Sequence, residues 1–329
     1  MIRAKKPKEP KEPKEGWKQI AAGGEHTVAV KSDGTVVAWG RNDYDQTNVP
    51  PNLTGVVQVA AGELHTVALK SDGTVVAWGY NYHGQTNVPP NLTDVVQVAA
   101  GELHTVALKS DGTVVAWGDN GYVQANVPPN LTGVVQVAAG LSHTVARKGD
   151  GTVVAWGANY SGQTSVPQNL TGVVGITSGN LHTVALKSDG TVVAWGYNGN
   201  NQCNVPQNLT GVVKVAAGGY HTVALKSDGT VVAWGWSQYG AGNVPQNLTG
   251  VAQVAAGLDH AVALKHDGTV VAWGDIKMVR SIPWELSDDK WLHFVAMYGD
   301  TVEVLSMVPS RVRKSKSYRD IRSMMKLCC

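Results

Sequence analysis

The sequence predicts an all-β chain folded as a seven-bladed β-propeller, and three observations carry that prediction. The first is a fixed step: His26, His65, His104, His143, His182, His221 and His260 are each 39 residues apart, and Trp39, Trp78, Trp117, Trp156, Trp195, Trp234 and Trp273 keep the same interval. The pentapeptide VVAWG recurs seven times unchanged, with no insertion or deletion between Trp17 and Gly274. The second is that each step holds three short apolar runs, each closed by glycine. The third is composition. One Phe against 38 Gly and 11 Trp in 329 residues suits short strands and tight turns rather than helices. Self-similarity at such a period marks a repeat architecture, in which one unit cannot bury its apolar surface alone and must stack on its neighbours.

The second repeat shows how each element arises. Val56–Ala61 is a first strand ended by Gly62. His65–Lys70 is a second, ended by Ser71-Asp72-Gly73, and an Asp-Gly pair between apolar runs is the strongest short hairpin signal. Thr74–Trp78 is a third strand, again ended by glycine. Pro89-Pro90 excludes a central strand and marks an irregular return path, with a short outer strand expected at Gln85–Val88. The runs are apolar on both faces, so each small sheet is expected to be covered on both sides. A closed ring of sheets supplies that covering. Alanine and glycine at the end of the first strand suit the crowded centre, and one tryptophan per unit fills the wider gap further out.

The motif HTVALKSDGTVVAWGYNYHGQTNVP, with its Gly-xx-His-Thr, Trp-Gly-x-Asn and Gly-Gln elements, resembles the regulator-of-chromosome-condensation repeat. No Trp-Asp dipeptide occurs, which sets the chain apart from WD repeats of similar period. The insertion-free form looks most like compact bacterial members of that family, among which is an inhibitor that binds a β-lactamase with one propeller face. The resemblance covers residues 17 to 274. It implies the propeller strongly and a function weakly, since one fold hosts many functions.

Four segments are expected. Residues 1–16 form a Lys/Glu/Pro-rich spacer, 17–290 the propeller, 291–306 a degenerate eighth repeat able to clasp the ring, and 307–329 a basic tail read as a solvated end. The first segment carries +3 and the last +6, so from a total of +2 the intervening residues 17–306 carry −7. Nucleic acid is not expected as a partner except through the tails. No run of 18 apolar residues suggests a membrane span. The opening residues lack the apolar core of a secretory signal, which makes the cytoplasm the default expectation. The terminal Cys328-Cys329 resembles a prenylated end only superficially.

Catalytic and metal chemistry find no support. A ring of histidines on separate blades, spaced by about 10 Å, cannot converge on a metal whose ligands lie within about 2.1 Å of one point. His65, His104 and His143 are therefore expected to be structural, each bonded to the backbone of an adjacent turn, and Trp78, Trp117 and Trp156 to be packing elements with a polar handle. Ser71-Asp72 sits at the opposite strand end from His65, which rules out a triad. The Asn-Leu-Thr triplets at Asn52, Asn91, Asn130, Asn169, Asn208 and Asn247 are read as turns rather than glycosylation sites. No cofactor is expected.

Differences among the seven copies are more informative. The Lys-Ser-Asp-Gly turn is nearly constant, whereas the two residues before each His and about five after each Trp-Gly vary. Strand direction puts both variable segments on one face of the ring and the constant hairpins on the other. The variable face is predicted to carry Tyr44, Tyr80, Tyr82, His83, Tyr122, Tyr160 and Tyr197. Tyr220, Trp236 and Tyr239 join them, with the acids Glu63, Glu102, Asp119 and Asp259. Rigidly mounted Tyr and Trp give large contact area at low entropic cost. The expected function is non-enzymatic binding of a protein or peptide, of basic character, by a monomer. The alternatives are guanine-nucleotide exchange on a small GTPase, which the family resemblance suggests, and a carbohydrate or cell-surface module, which an aromatic and carboxylate rim also suits.

Overall fold

A computed structural model describes residues 16–236 and 239–275, and those residues form seven three-stranded antiparallel sheets. In blade 1 the inner strand is Trp17–Ala22, the middle strand His26–Lys31 and the outer strand Val36–Gly40. The other blades repeat this at 39-residue steps, ending with Val251–Ala256, His260–Lys265 and Val270–Gly274 in blade 7. The expected inner strand Val56–Ala61 and middle strand His65–Lys70 are reproduced residue for residue, and the outer strand runs Val75–Gly79. Inner strands carry a register shift at their second residue, which is left without a partner while the first still pairs with the end of the middle strand.

Middle strands are the most deeply buried elements, with five of six residues inaccessible in most blades. Successive sheets pack face to face. In one such layer Val67 and Leu69 meet Val95, Val98, Ala107 and Trp117 of the next blade. Inner strands of all seven blades line a central channel of about 400 Å³. Ile20, Ala29 and Trp39 of blade 1 pack on Ala255, Val262 and Leu264 of blade 7, so the described residues close the ring themselves.

Polar links cross every seam and correct one expectation. The histidines do not bond to an adjacent turn. His26 Nε2 pairs with Thr66 Oγ1 of the next blade at 2.9 Å, and five more blades repeat the link, including His260 to Thr27 at 3.1 Å across the closure. Thr66 Oγ1 donates its one hydrogen to Gln46 O, so His26 must donate from Nε2, which fixes the tautomer. Trp78 Nε1 donates to the same carbonyl at 3.0 Å. A second correction concerns Gln85–Val88, where no outer strand forms. Gln85 is instead fully buried and its carbonyl accepts from Thr105 and Trp117 of the next blade. A third link clamps the inner strands. Gln19 Nε2 donates to Val59 O, and Val59 N donates back to Gln19 Oε1. Gln58, Gln97 and Gln136 do the same to Val98, Val137 and Ile176.

Two glycine positions show why the unit tolerates little change. A Cβ on Gly62 would lie 2.5 Å from the carbonyl of Gly101 on the next blade and would collide with the His65 ring. Gly73 closes the hairpin at φ 79°, in the left-handed region. The Asn residues of the Asn-Leu-Thr triplets also adopt φ near 65°, consistent with turns. The spacer expected at 1–16, but for Gly16, the clasp expected at 291–306 and the tail at 307–329 lie outside the described residues, as does the end of the 17–290 segment.

Candidate protein-binding face

The exit face is assembled by one backbone bond per blade. The residue after each Trp-Gly donates its N–H to the residue before each His: Arg41 to Glu25, Tyr80 to Leu64, Asp119 to Leu103, Ala158 to Ser142, Tyr197 to Leu181, Trp236 to Tyr220 and Asp275 to Asp259. The two variable segments of every blade therefore meet at one end of the ring. The constant hairpins lie at the other end, where Gly73 O accepts from Val95 N at the start of the next inner strand.

A constant frame holds the exit loops of blades 1 to 5. In blade 2, Asn81 Nδ2 donates to Asn87 Oδ1, Thr86 N donates to Asn81 Oδ1, and buried Gln85 turns its Oε1 to the N–H of His83. Blades 1, 3, 4 and 5 use the same positions, with Ser165 replacing the second Asn in blade 4. Residues between the frame positions are free to differ and point outward.

With Tyr80 and Tyr197, which precede the frame, and Tyr220 of the turn before His221, these residues gather into three aromatic groups, each bridging neighbouring blades. Tyr44 and Tyr80 meet edge to face with centroids 4.8 Å apart, and Tyr82 and His83 extend that group. Tyr122 and Tyr160 pair at 5.9 Å, and Tyr197 and Tyr220 at 6.1 Å. Such pairs add about 0.5–1.5 kcal/mol beyond their buried area. The rings nevertheless remain open to solvent: Tyr82 is 83% exposed, Tyr160 60%, Tyr122 53% and Tyr239 50%. Trp236 is half-buried.

The acids form an arc around the channel mouth. Glu63 and Glu102 line the channel from adjacent blades. Burial, followed by repulsion from Glu63, pushes the Glu102 carboxyl up to about 7. Burial also raises Asp259, aided by Asp275 and Glu25. Arg41 pairs with Glu25 at 3.2 Å and Asp43 at 2.5 Å, and is the single Lys or Arg in the exit loops and turns of residues 17–275. Asp119 has a different task. It accepts from Gln124 Nε2 at 2.7 Å, a contact that the buried amide nitrogens of Gln46, Gln85, Gln163 and Gln202 lack, and it lies 3.5 Å from His83. Asp119 thus holds its own loop.

All predicted face residues therefore lie at one end, but the tyrosines form three patches rather than one. Sequence reasoning did not single out the buried glutamines. Their signal was a polar residue held constant inside an otherwise variable loop. Among the described residues no group of His, Cys, Asp and Glu is arranged to hold a metal.

The profile of the RCC1-like domain matches residues 47–275, and that of the regulator of chromosome condensation (RCC1) repeat matches residues 17–46. No curated protein matches the chain. Solved structures do. Prp20p from Saccharomyces cerevisiae is 20% identical with a TM-score of 0.63, covering 84% of this chain and 85% of that one. Human WBSCR16 is 21% identical with a TM-score of 0.64, over 77% and 88%. The ectodomain of the Physcomitrella patens receptor kinase CR4 is 21% identical with a TM-score of 0.65, over 79% and 74%.

Proposed function

Because the chain belongs to the family of RCC1-like domains, a propeller family, we propose that it is a non-enzymatic propeller that binds a protein or peptide through its exit face. The observation carrying this reading is the coincidence of free variation with exposed aromatic surface. Three inter-blade tyrosine groups stand on the framed exit loops and the variable turn before His221. Loops on a rigid scaffold are where recognition concentrates, and Tyr anchors dominate binding energy when a partner desolvates them. The yeast neighbour Prp20p has binding properties toward Gsp1p and histones. At 20% identity that likeness carries the fold to this chain and not the partner.

The test is a matched pair of variants. Tyr80, Tyr82, Tyr160 and Trp236 are changed to Ala in one, and the hairpin-face Lys70, Lys109 and Lys187 to Ala in the other. Proteins captured by the native chain are identified by mass spectrometry. The reading requires loss of capture with the first variant and retention with the second, both folded by circular dichroism. Retention by both would refute it. Accelerated nucleotide release from a small GTPase would favour the exchange-factor alternative instead.

A further inference from the structure

The wall of the central channel breaks its own repeat at one seam. In blades 1 to 4 the third residue of the inner strand is a glutamine whose amide spans the seam to the next blade. Gln136 is typical: its Nε2 donates to Ile176 O at 3.0 Å, and Ile176 N donates to its Oε1 at 3.1 Å. The residues bridged in this way, Val59, Val98, Val137 and Ile176, are all buried. Blade 5 has Gly175 at the bridging position, and its strand continues Ile176-Thr177-Ser178 where blades 2 to 4 read Val-Ala-Ala. Blade 6 has Lys214, and Gln253 of blade 7 reaches Lys18 O. Between blades 5 and 6, then, the bridging position has no side chain at all.

Val215 faces that gap. It stands opposite Ala224 in the register that Val59 holds opposite Ala68, so its N–H and C=O turn away from the middle strand as those of Val59 do. Unlike the four bridged residues it is half-buried, and it lines the channel. Thr177 lies two residues beyond Gly175, on the same side of the strand. The alanines at that position in blades 2 to 4 pack on the next blade, so Thr177 puts a hydroxyl beside the gap. Ser178 lines the channel next to it, with its Oγ buried and unpartnered. Neighbours do not close the space: a Cβ on Gly175 would meet nothing nearer than Leu186 Cβ at 3.5 Å.

We propose that this gap binds a primary carboxamide on a short apolar stem, the group that a glutamine presents, entering from the channel. A carboxamide carries an acceptor and a donor on one carbon. Val215 offers the matching donor and acceptor, and Gln136 satisfies the same pair of groups one seam earlier. A carboxylate of the same length lacks the donor and leaves the Val215 carbonyl unpaired. The channel holds about 400 Å³, within the range of small-ligand sites. The site lies inside the ring and does not depend on partner binding by the exit face.

Ligand-observed saturation-transfer NMR on the full chain tests this with two probes, L-glutamine and the tripeptide Ala-Gln-Ala. Their controls are L-glutamate and Ala-Glu-Ala. At least one glutamine probe should receive several-fold more saturation than its glutamate counterpart, and which one does so tells a free amino acid from a peptide side chain. Gly175→Gln supplies the amide from the chain itself, as four other blades do. It should abolish the difference and raise the urea midpoint. Gly175→Ala adds no amide and should keep the difference, whereas Thr177→Ala, which restores the alanine of blades 2 to 4, should weaken it several-fold. Glutamine signals no larger than the glutamate signals for both probes would overturn the proposal, as would a difference that persists unchanged in Gly175→Gln. If glutamine binds while the tyrosine variant still captures its partners, the exit-face reading fails and this inference stands.

Discussion

The hairpins between Lys70 and Val75 and their counterparts repeat nearly unchanged at one end of the ring, whereas the longer exit connections and the turns before each His vary at the other. At the hairpin end the turn residues bond one another and the chain entering the neighbouring inner strands. Asp72 Oδ1 accepts from both the N–H and the hydroxyl of Thr74, and Gly73 supplies the left-handed residue. Changing any of these residues removes a bond from the hairpin itself. At the exit end the same economy is achieved by three frame positions, Asn, a buried Gln and a second Asn, which leave the residues between them without structural duty. The difference teaches where this scaffold can be varied at little cost to the fold. It also explains why aromatic and acidic side chains accumulate at one end only.

Acid should produce the largest effect, because it attacks the wall both ends share. The seven repeat histidines are buried, and burial holds them at about 3 to 4. Unfolded, each titrates near 6.5 and takes up a proton that the native ring refuses. The neutral-histidine contribution is therefore present above pH 6.5 and is lost progressively as pH falls toward 4. A tenfold weaker grip on a proton in the native ring than in the unfolded chain corresponds to about 1.4 kcal/mol. Urea midpoints measured from pH 7.5 to 4.5 should fall steeply, with several protons bound on unfolding. A flat profile would mean that the histidines are not buried neutral.

Next in size come substitutions that separate frame from decoration. Gln85→Ala removes the side chain that caps the His83 N–H from a fully buried position and should cost about 2 kcal/mol. Tyr82→Ala, three residues earlier and exposed, should change stability by less than about 0.5 kcal/mol. Thermal or urea unfolding of the two variants checks the pair. Equal losses would abolish the distinction between frame and outward residues.

A third variant asks how much one seam contributes. Blade 7 carries Ala261 where other blades carry Thr, and His221 Nε2 is left without a partner. The same blade 6 to blade 7 seam has Lys214 where blades 1 to 4 place a clamping Gln. Ala261→Thr restores the hydroxyl and should stabilise the chain by about 1 kcal/mol, read as a raised urea midpoint. No gain, or a loss, would show that the His–Thr link is incidental to stability.

The smallest effect concerns the channel mouth. Because Glu102 titrates higher in the native state than in the unfolded chain, its carboxyl costs stability that grows from pH 4.5 to 7 and then levels. Glu102→Gln should leave the melting temperature unchanged at pH 4 and raise it slightly at pH 8. A rise of equal size at both would remove the carboxylate pair as its cause.

Much of this architecture could be read from residues alone. The 39-residue step, the Asp-Gly hairpins and the glycine stops specified seven three-stranded blades, and strand direction placed Tyr80, Tyr122 and Tyr197 at one end. What escaped were contacts between positions 40 residues apart. His26 gives no local hint that its partner is Thr66, although the constancy of His-Thr in six copies, broken only by Ala261, is the trace such a pairing leaves. Gln85 looked like part of an outer strand because burial of a polar side chain depends on the next blade arriving over it. The grouping of tyrosines into three patches depends on which neighbours both carry rings, a property of loop geometry that the linear spacing does not contain.

The central claim is that partners meet the exit end and not the hairpin end. Hydrogen exchange on the complex with a captured partner addresses it most directly. Protection is predicted in the exit loops at residues 41–48, 80–87, 119–126, 158–165 and 197–204, with the hairpins around Asp72, Asp111 and Asp189 exchanging as in the free chain. Protection confined to those hairpins, with exit loops unchanged, would contradict the account.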